Sequence, residues 1–428
     1  MTKPGFAWGC VADDFTGASD AASFWADAGM RVLLVNGIPS FDAGQLQGYD
    51  GVVIALKTRT AATDQAVSET LKSCRWLKAA GARQLFIKYC STFDSTPKGN
   101  IGPILDAIME EYELPYTILC PALPINGRTV KDGILYVNNI PLSESPMKNH
   151  PLTPMWDSRL KVLIEAQSKY PALELNSAAL ERPAELLQET VSCFNKLHKH
   201  FYLIPDYYLD AHASKIAELF GSLPVLSGGS GLMTCLAKRC LKQQNLPAHR
   251  GSAFPDGTKG GALLLAGSCS TATLDQIEDY KEKGNPWVQI HPEEWLNGRQ
   301  TVESVMKVIR SHDHENVLVY SSAPAEDVRK AQEAGSAKVA TALEQAMASL
   351  AAQARKEGTT RIIVAGGETS GAVTKALGFY SYTLGNSIAP GVPVLIPMDD
   401  PSLRLVLKSG NFGQTDFFTR AVEKTGIQ

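Results

Sequence analysis

At 428 residues the chain exceeds the size at which a single hydrophobic core stops growing, so two α/β domains are expected. Hydrophobic content of 44%, charged content of 20% and a net charge of -3 suit a globular protein and supply no basic field for nucleic acid. The eight cysteines show neither CxxC pairs nor zinc-site spacing, no apolar run reaches the 18 or so residues that span a bilayer, and the first residues lack a signal peptide's apolar region. Reduced thiols, no membrane and a cytoplasmic location are therefore the expectations.

The first strand, Phe6 to Ala12, empties into Asp13-Asp14-Phe15-Thr16-Gly17, and Ala18, Ala21, Ala22, Trp25 and Ala28 then give a helical stripe ending at Gly29. Two adjacent carboxylates at a strand exit suit a base and a ligand for a metal or hydroxyl; the ordinary alternative makes Thr16 a helix cap and the aspartates its favourable charges. Arg31 to Val35 and Gly51 to Leu56 read as strands, the latter running into Lys57-Thr58-Arg59-Thr60. Lys57 and Arg59 could bind a carboxylate or phosphate, or stand solvated before a helix from Asp64 to Ala80 capped by Thr63.

The run Gln84 to Ile87 precedes the stretch Lys88-Tyr-Cys-Ser91-Thr-Phe-Asp94-Ser95-Thr-Pro-Lys98-Gly-Asn100, and a helix is expected from Ile101 to Tyr112. A strand-to-helix loop of this kind can offer cations and backbone N–H groups to an anion beside a carboxylate that accepts a proton, although such residues also simply make turns. Tyr116 to Cys120 is the next strand, with Arg128 beyond it. Loops after parallel strands meet on one sheet edge, so Asp13, Asp14, Lys57, Arg59, Lys88, Asp94 and Arg128 are expected to converge.

Gly133 to Val137 reads as part of an extended pair, and the proline-rich segment Asn138 to Trp156 as a lid, binding loop or passive excursion in which His150 could reach a ligand. Helices at Glu185–His200 and Ala211–Phe220 alternate with strands at Phe201–Ile204 and Val225–Leu226. Ser227-Gly228-Gly229-Ser230-Gly231 then opens a helix from Leu232 to Leu241, its glycines serving either a phosphate or a tight turn. Periodicity lapses over 242–259, which sets the expected domains at 1–241 and 260–428.

In the second half, the strands Gly261–Ala266 and Arg361–Ala365 end in Gly267-Ser268-Cys269-Ser270 and Gly366-Gly367-Glu368-Thr369-Ser370-Gly371, each followed by a helix. Lys408 to Gly413 follows a third strand, Leu403 to Leu407. Three Gly/Ser/Thr loops at strand exits are what a sheet needs to cradle a polyphosphate through backbone N–H groups. The standard P-loop, the dinucleotide fingerprint and the protein-kinase motif set are all absent from the sequence.

Taken in order, Ala12-Asp-Asp-Phe-Thr-Gly17, Lys88-x-x-Ser91-Thr-x-Asp94-Ser95, Pro151-Leu-Thr-Pro154-Met, Ser227-Gly-Gly-Ser-Gly231 and Gly366-Gly-Glu-Thr-Ser-Gly371 make the chain resemble the four-carbon acid sugar kinases over essentially its whole length. The run from Lys88 to Gly102, with Asn149 to Met155, resembles the 3-oxo-tetronate 4-kinase branch. The resemblance implies two α/β domains with mainly parallel sheets, an acid-sugar domain followed by an ATP domain, and an active site in the cleft between them. It implies magnesium-dependent transfer from ATP to the C4 hydroxyl, with a threonate or erythronate kinase, or a non-catalytic sensor of acid sugar and nucleotide, as the alternatives. Carried onto this sequence, the resemblance places the acid sugar near Asp13, Asp14, Arg59, Lys88 and Asp94; from the residues themselves, catalysis is expected of Asp14, Asp94 and Lys88, and substrate binding of Asp13, Lys57, Arg59, Ser91, Ser95 and Arg128. Nucleotide contacts fall at Ser268, Gly366, Gly367, Glu368, Thr369, Ser370, Gly410, Asn411 and Gly413, while metal ligands and homodimer formation are left open.

Overall fold

The computed structural model describes residues 5–41, 43–149, 153–245, 247–249, 257–312, 314–322 and 336–427, which form two compact units, 1–250 and 251–428. His150 and Pro151 lie outside the described residues.

The first unit runs β1 (Trp8–Ala12), α1 (Phe15–Asp27), β2 (Val32–Asn36), β3 (Gly51–Ala55), α2 (Thr63–Ala79), β4 (Gln84–Lys88), α3 (Ile101–Glu111) and β5 (Tyr116–Cys120). A hairpin with a short third strand follows as β6 (Arg128–Lys131), β7 (Ile134–Val137) and β8 (Ile140–Pro141). Then come α4 (Leu160–Glu165), β9 (Ala172–Leu175), α5 (Ser177–Leu180), α6 (Ala184–Leu197), β10 (Phe201–Pro205), α7 (Asp210–Phe220), β11 (Val225–Gly228) and α8 (Met233–Gln244).

Its main sheet has the order β2-β3-β1-β4-β11-β5-β10-β9, with every pair parallel. Strands covered on both faces must be apolar throughout, which is why β1, β3 and β10 are buried along their whole length. The register sets Ala12 opposite both Ala55 and Lys88, and Lys88 opposite Gly228, so four strands end level. Strand order reverses between β1 and β4, and the crevice outside that switch point is where open parallel sheets hold ligands.

The second unit contains β12 (Ala262–Ala266), α9 (Thr271–Glu282), β13 (Trp287–Gln289), α10 (Pro292–Leu296), α11 (Val302–Ser311), β14 (Val317–Tyr320), α12 (Ser336–Lys356) and β15 (Arg361–Ala365). It ends with α13 (Gly367–Leu377), β16 (Ser381–Ala389), β17 (Val392–Pro397), β18 (Arg404–Lys408) and α14 (Phe417–Thr425). β13-β14-β12-β15-β18 pair in parallel, and β17 and β16 continue the sheet antiparallel. Ala266, Ala365 and Lys408 are aligned in register, so the three glycine loops leave at one level. Ile277, Tyr280, Phe417 and Phe418 close the core on the helical side.

The expected strands and helices recur with ends shifted by a few residues at most. In the first unit α4, β9, α5 and the short strands β6 and β8 are additions to the expected set, and in the second unit so are β13, β14, β16, β17, α10, α11, α12 and α14.

Candidate functional site

Asp14, not Thr16, caps α1: its side chain accepts from the Gly17 N–H, and the Thr16 hydroxyl donates to the same carboxylate. A Cβ on Gly17 would fall 2.7 Å from Asp14 Oδ1 and 3.4 Å from Lys88 Nζ, so glycine is what lets the carboxylate and the ammonium close on this turn. The other Asp14 oxygen lies 2.7 Å from Arg59 Nη1.

Arg59 is held more firmly by Asp13, with Nε 2.9 Å from Oδ2 and Nη2 2.8 Å from Oδ1, while its Nη1 stands 3.9 Å from Asp94 Oδ2. Three aspartates therefore surround one guanidinium, whose fork is spent on Asp13 rather than open to a ligand. Burial works against the charged form of Asp14, but Arg59, Lys88 and the Gly17 N–H together hold its carboxyl below the usual range.

Lys88, at the end of β4, is 3% exposed. Its ammonium donates to the Tyr89 carbonyl and lies 3.5 Å from Asp20 of α1, whose Oδ2 also accepts from Ser230. Burial opposes that ammonium, yet Asp20, Asp13 and Asp14 outweigh it and raise its pKa above the ordinary lysine value. Asp20 and Ser230 thus tie the second glycine loop to Lys88. The glycines of that loop serve close packing: a Cβ on Gly228, Gly229 or Gly231 would fall 2.2, 2.4 or 2.2 Å from the carbonyl oxygens of Cys120, Pro121 and Ala122.

The loop after Lys88 is strained at Phe93, which has φ 51° and is fully buried with its ring edge-on to Tyr89. That turn presents Asp94, whose Oδ1 accepts from the Thr92 hydroxyl at 2.6 Å. Ser91 and Ser95 are buried; the Ser95 hydroxyl donates to Gln167 at 3.1 Å, and a Cβ on Gly99 would sit 1.8 Å from it. Ser95 therefore fastens its own loop.

Thr63 does not cap α2, because its hydroxyl donates to Asn100 Oδ1 instead. Asn100 is buried and donates to the carbonyls of Thr58 and Ala61 at 2.8 and 2.9 Å, latching the Arg59 loop to the Asp94 loop. Asn100, Asp20 and Ser230 carry no local signal of this work, since each bond joins segments far apart in sequence.

Arg128 differs from Arg59. It donates to the Asn126 carbonyl, its buried Nε has no hydrogen-bond partner, and no carboxylate among the described residues pairs with it. Burial pulls its pKa down, while Cys90 and Asp94 lie near enough to offset part of that. Asp13, Arg59, Lys88, Asp94, Ser95 and Asn100 line one pocket; Asp14, Ser91, Arg128 and the exposed Lys57 are not among its lining residues.

In the second unit the three glycine loops interlock. A Cβ on Gly267 would fall 2.2 Å from Thr369 Oγ1, one on Gly366 would sit 3.1 Å from the Ser268 nitrogen, and one on Gly410 would sit 2.2 Å from Ser268 Oγ. Gly366 has φ 131° and caps α13, in whose first turn lie Gly367, Glu368 and Thr369, with Ser370 buried behind them. The Ser270 hydroxyl caps α9 and donates to the Gly410 carbonyl at 2.7 Å. Gln276 reaches the carbonyls of Phe412, Gly413 and Gln414, while Asn411 is exposed at the tip. Two helix N-termini and a glycine turn thus face one place, an arrangement suited to oxyanions. Thr273 and Gln276 belong to it structurally and lie outside the glycine motifs, while Lys408 opens the third of them.

Among the described residues no group of three or more His, Cys, Asp or Glu side chains is placed to hold a metal, and no helix is long and apolar enough to cross a membrane.

Residues 8–236 match the model of a sugar-binding N-terminal domain, and 263–418 that of a nucleotide-binding C-terminal domain. The chain is 40% identical over 420 residues to a protein named 3-oxo-tetronate kinase from Brucella melitensis, covering 96% of this chain and 94% of that one. A protein of the same name from Cupriavidus necator is 39% identical, with 98% and 97% covered. Among solved structures, one from Salmonella typhimurium LT2, named for a tRNA synthase, is 36% identical with a TM-score of 0.86, covering 98% of this chain and 99% of that one. Another, of a Haemophilus influenzae protein, is 37% identical with a TM-score of 0.76 and covers 96% and 98%.

Proposed function

The chain belongs to the family that joins a sugar-binding N-terminal domain to a nucleotide-binding C-terminal domain, and we propose that it phosphorylates the C4 hydroxyl of 3-oxo-tetronate at the expense of ATP. One observation carries this reading on the structural side. The chain builds two chemically distinct sites, a carboxylate-and-cation pocket at the switch point of one sheet and a nest of glycine loops at the strand exits of the other.

Arg128, with its uncompensated guanidinium, binds the acid sugar's carboxylate, since Arg59 is already neutralised by Asp13 and Asp14. Asp94 takes the C4 proton. Asp13 has both oxygens on Arg59 and Asp14 has both engaged, whereas Asp94 accepts from the Thr92 hydroxyl at Oδ1, has the Cys90 thiol as a further neighbour, and stands 3.9 Å from Arg59 at Oδ2. The freed oxygen attacks the γ-phosphorus, a P–O bond forms, the bond to the β-phosphate oxygen breaks, and ADP leaves. Lys88 and Arg59 fix the aspartates and set the local field instead of touching the transferred group. Ser268, the first turn of α13 and the Gly410–Gly413 turn hold the phosphates. Magnesium enters as the counter-ion of ATP: the described residues offer no protein cage for it, and no step here depends on protein ligands to it.

The test is ADP release with a panel of both 3-oxo-tetronates and the D- and L-forms of threonate and erythronate. Release that requires a 3-oxo-tetronate is the expected result. Release with the reduced acids only would move the substrate to a threonate or erythronate, and no release with any member would overturn the kinase reading.

A further inference from the structure

Lys408 ends β18 directly beneath the third glycine loop and is fully buried. Its ammonium donates to Thr273 Oγ1 and the Gly410 carbonyl, each at 2.9 Å, and to the Ser409 carbonyl at 3.3 Å, with the Phe417 ring 5.6 Å away. Three acceptors match the three protons of an ammonium, and no carboxylate among the described residues pairs with it. Thr273 and Ser270 donate in turn to the Gly410 carbonyl, so one backbone oxygen collects three donors.

A buried cation without a counter-charge is costly, and a structure that needed only to pin a turn could do so with a neutral donor. The missing negative charge is what a polyphosphate brings. We propose that Lys408 is a positioning residue of the nucleotide site, which shapes the Ser409–Gly410 turn and supplies, through that turn, an uncompensated positive charge that nucleotide phosphates satisfy. This rests on the reading of the second unit as the ATP site. Burial already pushes the Lys408 ammonium down to about 7, so phosphate binding draws a proton onto it. The side chains that face it from α9, β15 and α14 are Thr273, Ala365 and Phe417. The titratable groups nearest to them in sequence are Asp275, Glu368 and Asp416.

The experiment is calorimetric titration of the full chain with MgATP at pH 7.5, in two buffers of different ionisation enthalpy, with adenosine as the phosphate-free control. The wild-type protein is expected to take up about half a proton or more on binding MgATP. Lys408→Met should bind MgATP at least about tenfold more weakly without that uptake, change adenosine affinity little, and keep its KM for the acid sugar. MgATP binding by the wild type without proton uptake would overturn the proposal even if the variant fails to fold, and so would a variant that binds as tightly with the same uptake. A wild-type protein that binds no nucleotide at all overturns the kinase reading itself.

Discussion

Arg59 and Asp13 form a two-point ion pair across 46 residues of sequence, joining the exits of β3 and β1 at 2.8 and 2.9 Å. Both side chains are partly covered, at 24% and 12% exposure, so the pair lies between a surface bridge and a buried one. Asp13→Asn removes the two-point partner, leaves Asp14 as the close carboxylate on Arg59 and should cost about 2 kcal/mol in urea unfolding, below the roughly 3–5 kcal/mol of a fully buried pair. A double-mutant cycle with Arg59→Met should show coupling of about 1 kcal/mol or more. Additive effects would mean that the pair is only an adjacency.

The two candidate bases separate by what already occupies their oxygens. Asp94→Asn should lower kcat by about 10² to 10⁴ with little change in either KM, since only the proton acceptor is lost. Asp14→Asn keeps a competent helix cap and should reduce kcat much less. Asp14→Ala loses the cap as well and should cost about 1 kcal/mol more in stability. Steady-state kinetics on the three variants decide the matter: near-normal turnover in Asp94→Asn would remove it as the base.

Arg128→Lys keeps the charge and loses the planar fork. It should raise KM for the acid sugar about tenfold or more and leave KM for ATP unchanged, because a charge-assisted contact contributes about 1.5–3 kcal/mol. Equal rises in both constants would place Arg128 outside the acid-sugar site.

Asp13, Arg59 and Lys88 stood out in the sequence as candidates because each lies at or shortly after an apolar run at a strand's end. Their partnerships did not. Lys57 carries the same local signal as Arg59 two residues away, yet it stands exposed while Arg59 meets three aspartates. Asp20 lies inside α1 and meets Ser230 across 210 residues, a contact fixed by α1 packing beside the glycine loop and invisible to any local pattern. Ser227 to Gly231 reads like the phosphate loops of the second unit, but its glycines answer carbonyl oxygens of the Cys120–Ala122 segment. The strands expected from Val/Ile/Leu runs recur, whereas α4, β9 and α5 are only four to six residues long and carry too few repeats to show a period, and β13, β14, β16, β17 and α12 of the second unit are not among the expected elements.

Asn100, the last residue of the expected loop, is a latch. With its amide donating to Thr58 and Ala61 and accepting from Thr63, Asn100→Ala should cost about 2–3 kcal/mol, since several buried polar groups lose a partner at once. Because the latch joins the Arg59 and Asp94 loops, kcat should fall as well, by about tenfold. Asn100→Asp keeps the acceptor and forfeits the donors. A stability loss in Asn100→Asp without any fall in kcat would confine Asn100 to folding.

Lys408 makes a prediction that needs no nucleotide. Its folded-state pKa is about 7, and an unfolded lysine titrates near 10.4, so between those values the unfolded chain binds more protons than the folded one. Stability attributable to this side chain therefore rises with pH across that window, by at most about 1.4 kcal/mol per pH unit. Below pH 7 both states are protonated, and the burial cost of the charge is then carried in full. Urea unfolding of the ligand-free protein at pH 7, 8 and 9 should show this rise, and Lys408→Met should lack it. Cysteine and tyrosine titrations contribute to both proteins and cancel in the difference. Parallel slopes for the two would mean that Lys408 stays charged throughout, held by Thr273, Ser409 and Gly410 strongly enough to offset its burial.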